Sequence, residues 1–331
     1  MDSVLSLNNG IFGQDCTVDN ASIVIISVPW DLTCSYGVGS ALNRQAIHEA
    51  SLQLDLWDFN AQSAWKQGIA LAPEFSDILS FNQNYRSDAT LIYKELESGN
   101  FLSKDLLEAQ TKINQYSELL LDKVSDSILS YLNQNKRVVL LGGEHSISLA
   151  YLRALSTLYK SFGVLQWDAH MDCRESYAGF NYSHASVMYH AAHIPELKHI
   201  VQVGIRDCCS TEIEFSKQAP SKIHTFFDRQ LASDQFRGRL WSDICDEIID
   251  KCPNYIYISC DIDGFDPSLC PSTGTPVPGG LSFNQWNYLL QELKRQGKTI
   301  IGSDLVEVVT NTKWDANVAA RLLYQYSVIF S

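Results

Sequence analysis

Two runs limit most sharply what this chain can fold into. FGVLQW (162–167) and YIYISC (255–260) are apolar almost throughout, so neither leaves a polar face for water. Such strands are stable inside a sheet covered on both sides, the setting of parallel sheets whose crossover helices pack on each face. Runs of similar character recur at SIVIISV (22–28), RVVLL (137–141), HIVQVG (199–204), IHTFF (223–227) and TIIGSDLVEV (299–308). Between them lie stretches with apolar residues at helical spacing: 103–134, behind Ser103 as a candidate N-cap, then 146–160, 282–296 and 314–326. The alternation predicts an α/β fold with a mainly parallel sheet. No internal repeat, low-complexity tract or linker divides the chain, so residues 1–331 are expected to form a single domain. Residues 73–102 have the least regular pattern and are expected to form a surface excursion.

Charge narrows the function. A net charge of −13 argues against nucleic acid as a partner, because phosphate binding needs a basic face, and suits the attraction of metal ions or cationic substrates. No uninterrupted apolar stretch approaches the roughly 20 residues of a membrane span, so no membrane association is expected. MDSVLSLNNG has neither a basic segment nor a long apolar one, so no secretory signal is expected and the cytoplasm is the expected location. The 9 cysteines are scattered without a CxxC pair, which predicts reduced, mostly buried thiols.

Three motifs carry chemistry. DAHMD follows FGVLQW; if the strand continued through it, Asp168, His170 and Asp172 would face one side. The same logic places Asp261 and Asp263 together after YIYISC, and His145, in GGEHS, stands where the helix after RVVLL begins. All three motifs fall at the carboxyl ends of strands, where open α/β sheets place their sites. Asp168, Asp172, Asp261 and Asp263 would repel one another unless cations neutralised them, and two divalent ions would balance them. Carboxylates with some imidazole and no thiolate suit Mn²⁺ or a similar hard ion better than structural zinc.

GGEHS, DAHMD and SCDIDGFDP, in this order, resemble the metal-binding signatures of the arginase/agmatinase (ureohydrolase) family. The resemblance extends over nearly the whole chain, through VPWDLTCSYGVGSALNRQAIHEAS near the start, STGTPVPGGLS (272–282) and SDLVEVV (303–309). The family normally has Gly-Pro near the position of Leu42-Asn43 in this chain. The resemblance implies a three-layer α/β/α sandwich around an eight-stranded sheet, assembled as a homo-oligomer, trimer or hexamer. It also implies two Mn²⁺ per subunit, with Ni²⁺ or Co²⁺ as alternatives. His145, Asp168, Asp172 and Asp261 would hold one ion, and Asp168, His170, Asp261 and Asp263 the other, with Asp168 and Asp261 bridging.

His184, in YSHASVM, matches the family position that shuttles protons to the leaving amine; read from the residues alone, it could instead cap the helix beginning there. Glu307, on an otherwise apolar strand, would receive the substrate's guanidinium. Asp207 matches a position near the substrate's distal end, or serves as a turn residue, and Asp266 is expected to tie down its own loop. The implied reaction is hydrolysis of a small cationic guanidino substrate to urea and an amine. CRESYAGFNYSHASV (173–187) is closer to agmatinases than to arginases, which makes agmatine the first choice. Guanidinobutyrate, guanidine, arginine and formiminoglutamate are the alternatives. Two readings of another kind are a non-catalytic family member and a deacetylase on the related fold.

Overall fold

Each of the doubly apolar runs becomes a strand of one parallel sheet. The computed structural model describes residues 10–331, so the N-terminal stretch read for a secretory signal lies, apart from Gly10, outside the described residues. The strands are β1 (Ile23–Val28), β2 (Ile69–Leu71), β3 (Arg137–Gly142), β4 (Phe162–Trp167), β5 (Leu197–Ile205), β6 (Ile223–Phe227), β7 (Tyr255–Cys260) and β8 (Thr299–Leu305). They form an 8-stranded sheet in the order β2-β1-β3-β8-β7-β4-β5-β6, with every neighbouring pair parallel.

Alternate residues of the central strands feed two separate cores. In β4, Phe162 and Val164 pack on one face with Ile113, Leu120 and Leu152, while Leu165 and Trp167 pack on the other with Trp286, Leu289 and Tyr326. The first face is covered by helices Lys104–Leu132 and Ser148–Leu158, the second by Phe283–Arg295 and Lys313–Phe330. One of these helices starts where the sequence places its cap, at Ser103, and another is capped by Ser282. The Ser103 hydroxyl accepts the Leu106 N–H, and Ser282 and Gln285 form a reciprocal capping box. No described helix is long and apolar enough to cross a membrane.

Residues 73–102 are not an irregular excursion, because Ser76–Glu97 is a 22-residue helix. Its buried side chains, among them Ile78, Asn82, Ala89, Ile92 and Tyr93, form a thin stripe that includes an amide, so the apolar period is weak in the sequence. The short edge strand β2 was likewise not legible, having only 3 residues. β8 stops at Leu305, short of the expected Val308: Val306 keeps one bridge to Asp261, and Glu307 turns into the left-handed region at φ 60°.

The topology places the site. The chain passes from β3 to β4 across two positions later filled by β8 and β7, a reversal of winding that brings four carboxyl ends side by side. Ligand crevices of doubly wound sheets lie at such switch points.

Candidate metal centre

The converging side chains stand just past the ends of these four central strands. His145 opens a 3-10 turn, His145–Ile147, after β3. The preceding glycine is needed for close approach: a Cβ on Gly143 would lie 1.8 Å from the Trp30 carbonyl oxygen. β4 ends at Trp167, and DAHMD does not continue it. Asp168 N–H still donates to the Val203 carbonyl at 3.1 Å, but by Asp172 the backbone has turned to φ 53°. The Asp172 carbonyl there accepts N–H bonds from Met188 and Tyr189 at 2.9 and 3.2 Å. The expected common strand face is therefore incorrect for DAHMD; a turn, not an alternating extended strand, brings its three side chains inward. Asp261 and Asp263 do not share a strand face either. β7 ends at Cys260, and Asp261 Oδ1 accepts the Asp263 N–H at 2.9 Å across a 3-10 turn, Ile262–Gly264.

The result is two overlapping groups, His145/Asp168/Asp172 and Asp168/His170/Asp263, within each of which the donor atoms lie within 4.8 Å of one another. His145 Nδ1 is 2.9 Å from Asp172 Oδ2, 3.1 Å from Asp168 Oδ2 and 3.5 Å from Asp261 Oδ2. His170 Nδ1 is 3.1 Å from Asp263 Oδ2 and 3.6 Å from Asp168 Oδ1. Asp168 thus turns one oxygen toward each histidine. Further bonds fix it: Gln166 Nε2 donates to Oδ2 and the His170 N–H to Oδ1, both at 2.7 Å.

A cation fits this arrangement. His145 Nδ1 is buried and has no hydrogen-bond partner, although three carboxylates surround it. A lone pair facing carboxylate oxygens is repulsive until a positive ion lies between them. The protonation balance has the same cause. Burial, followed by the neighbouring Asp168 charge, pushes Asp172 up to about 7, and burial with Asp263 and Asp168 pushes Asp261 well above its ordinary value. Burial also opposes charge on Asp168, but the neighbouring His145 and His170 outweigh it and hold that carboxyl well below the usual range. The two histidines are shifted well upward, the carboxylates overcoming the cost of burial. Protons therefore take up part of the role that divalent ions would fill.

A cavity of about 510 Å³ opens above the cluster, lined by His170 and Asp172 on its floor and by His184, Arg174, Tyr177 and Asp207 among others. His184 is not the helix cap; Ser183 is, accepting the Ala185 N–H. The His184 N–H donates to Thr33 Oγ1 at 3.0 Å, its Nε2 lies 3.4 Å from Ser35 Oγ, and burial is the main cause holding its pKa down to about 4. Asp207 is 68% exposed, with Oδ2 4.0 Å from His170 Nε2. Asp266 stays local: its Oδ1 accepts the Ser268 N–H at 2.8 Å.

Glu307 is buried beside Thr273 and Gly274, past the end of β8 and not on an apolar strand as expected. Its Oε1 accepts the His145 N–H at 2.9 Å, its carbonyl accepts the Thr273 hydroxyl at 2.9 Å, and Cys34 Sγ lies 3.7 Å from Oε2. Burial and the nearby Glu144 raise its pKa well above the ordinary carboxylate value.

Several contributors escaped the sequence reading. Gln166 is the polar residue inside GVLQW, and Gln202 Nε2 donates to its Oε1 at 2.7 Å, fixing the amide that grips Asp168. Glu144, the acid of GGEHS, is fully buried; it accepts the Thr33 N–H at 2.7 Å and hydroxyl bonds from Thr33 and Ser146. Burial lifts its pKa to about 7. Asn43, in the block that departs from Gly-Pro, is buried and donates through Nδ2 to the Gly142 and Val308 carbonyls at 2.7 and 3.1 Å, tying the end of β3 to the segment after β8. The signal for all three was a polar residue in an apolar or glycine-bounded setting.

Taken together, the sheet order and the surrounding helices define an arginase-like α/β protein. A model of the Arginase family matches residues 21–328, and the chain belongs to that family, as one of its ureohydrolases. The chain is 29% identical to the N(1)-aminopropylagmatine ureohydrolase of Thermus thermophilus over 319 residues, 95% of this chain and 92% of that protein. It is 24% identical to the agmatinase of Bacillus cereus over 294 residues, 88% of this chain and 84% of the relative. Among solved structures, the agmatine ureohydrolase of Thermoplasma volcanium superposes with a TM-score of 0.73 at 25% identity, covering 98% of this chain and 95% of the other.

Proposed function

We propose that this ureohydrolase cleaves the guanidino group of a small cationic substrate, agmatine first, to urea and an amine at a centre holding two divalent cations, Mn²⁺ by preference. The observation that carries the reading is the pair of ligand groups sharing Asp168, with the unpartnered His145 Nδ1 in one of them. His145, Asp168, Asp172 and Asp261 would hold one cation; Asp168, His170, Asp261 and Asp263 would hold the other. Such a pair supplies Lewis acidity and lowers the pKa of water toward neutrality.

The chain's own residues do the rest. Asp172 and His170 present the reacting end of the cavity, and Thr275 Oγ1, 3.3 Å from Asp263 Oδ2, steadies that carboxylate. Neutral His184 accepts a proton at Nε2 on the cavity wall and delivers it to the departing amine. Glu307, whose Oε1 accepts the His145 N–H and whose Oε2 accepts the Cys34 thiol, would pair with a guanidinium through Oε2 in place of that thiol. At the rim, Arg174 is stacked on Tyr177 at 4.8 Å and lies 3.8 Å from Glu212, so its charge is partly offset, whereas Asp207 is exposed. That balance favours a cationic tail over a carboxylate. N(1)-aminopropylagmatine, named for the Thermus relative, is the second candidate of the same class.

Urea release from agmatine, N(1)-aminopropylagmatine, guanidinobutyrate, arginine and guanidine, measured with Mn²⁺-, Ni²⁺- and Co²⁺-loaded protein, tests the assignment. The highest kcat/KM should belong to an amine-tailed substrate. A preference for guanidinobutyrate or arginine would overturn the reading of the rim.

A further inference from the structure

Behind the cluster, β7 and β8 carry a polar chain that strands packed on both faces do not need. Ser259 and Asp304 are both 0% exposed. Asp304 Oδ1 accepts the Cys260 N–H at 2.8 Å, and Oδ2 accepts the Tyr257 hydroxyl at 2.7 Å and the Ser259 hydroxyl at 2.9 Å. Ser259 Oγ lies 2.8 Å from His145 Nε2. The direction of these bonds follows from what each group can donate. An ionised carboxylate only accepts, so the single Ser259 proton goes to Asp304, leaving an oxygen lone pair to face His145. Nε2 must then carry the proton of the neutral ring. The other nitrogen, Nδ1, is left with a lone pair, and this is the buried atom without a hydrogen-bond partner amid three carboxylates.

We propose that Asp304 and Ser259 are positioning residues: through the bond Ser259 makes to Nε2, they fix the tautomer and ring orientation of His145 so that Nδ1 is ready to bind one of the two cations. The inference rests on the reading that the cluster holds cations. It concerns one site of the two, because the His170 group touches neither Ser259 nor Asp304. Partners beyond the ligands that set a histidine's tautomer typically change metal affinity by about 10- to 100-fold.

Two substitutions act on the chain of bonds differently. Ser259→Ala removes the acceptor for Nε2–H and leaves the tautomer unfixed. Asp304→Asn reverses the direction: its oxygen stays on the Cys260 N–H, its amide takes the place of Oδ2 and donates to Ser259, and the freed Ser259 proton points at Nε2. The ring proton then moves to Nδ1, the wrong nitrogen for a cation.

Mn²⁺ binding to wild-type and variant proteins, followed by equilibrium dialysis, should give two tight sites in the wild type. In each variant, one site should weaken about 10- to 100-fold while the other is unchanged. At a pH above the raised pKa of His145, where its ring is neutral, ¹⁵N-histidine NMR of the chelated wild-type protein should find the His145 proton on Nε2, and in Asp304→Asn on Nδ1. Variants that fold and bind both equivalents as tightly as the wild type would overturn the relay, as would a wild-type proton on Nδ1, a measurement that needs no variant. A wild type that binds no Mn²⁺ would overturn the cation reading beneath it, a failure plainly distinct from the other two.

Discussion

Stripping divalent cations from the protein should cost more stability at pH 8 than at pH 5. In the cation-free cluster, burial and the Asp168 charge raise Asp172 from 3.8 to about 7. A group whose folded pKa is raised contributes stability that is complete below its unfolded pKa and is lost as pH rises through the folded value. For Asp172 the window runs from about 4 to about 7, and the roughly two units of it that lie above pH 5, at about 1.4 kcal/mol each, amount to about 3 kcal/mol. Asp261, His145 and His170 are shifted upward as well, so they act with the same sign. Asp168 has the opposite sign, but its pKa is depressed, so its loss falls in more acid solution, outside this window. Bound cations hold the carboxylates ionised without repulsion, so the loaded protein is spared the loss. An unfolding entropy of roughly 2.1 cal/mol/K per residue gives about 0.7 kcal/mol/K for 331 residues. That roughly 3 kcal/mol then corresponds to about 4 °C. Scanning calorimetry of Mn²⁺-loaded and EDTA-treated protein should find the Tm gap between them wider at pH 8 than at pH 5 by about this amount. A gap that stays constant, or narrows toward pH 8, would refute the assignment of the raised carboxyls to a cation site.

Asp168 faces both histidines, so Asp168→Asn should weaken both Mn²⁺ equivalents, whereas His170→Asn should weaken only one; metal analysis after dialysis separates the two outcomes. His184→Asn should leave metal content unchanged and lower kcat by about 10²- to 10⁴-fold, as expected for loss of a positioned proton carrier. Glu144→Ala would leave Thr33 N–H and two hydroxyls without their acceptor, so urea denaturation should register a loss of about 1–3 kcal/mol. Because Thr33 also receives the His184 N–H, the same variant should lose activity beyond what its stability explains.

The sheet was legible because its strands are apolar on both faces, and period and length identified all but β2, whose 3 residues carry almost no pattern. The helix Ser76–Glu97 was missed because its buried face includes an amide, Asn82, which hydrogen-bonds to Asp31 in place of apolar packing. The cluster residues could be read from the motifs, but the geometry that joins them could not. Asp172 and Glu307 both adopt positive φ, which strand periodicity does not anticipate. Gln166, Glu144 and Asn43 reach the site through partners distant in sequence, such as Thr33 for Glu144 and Val308 for Asn43. Those contacts exist only once the strand ends are adjacent. The DAHMD motif therefore named side chains that the fold brings together, while an extended-strand argument misassigned how they meet.

The most direct test is urea release from agmatine as Mn²⁺ is titrated into chelated protein, with bound metal measured in the same samples. Activity should be absent without metal and reach its plateau at two bound equivalents per chain. Undiminished urea release from protein shown to be free of divalent cations would contradict the account, as would two bound equivalents with no guanidino substrate hydrolysed.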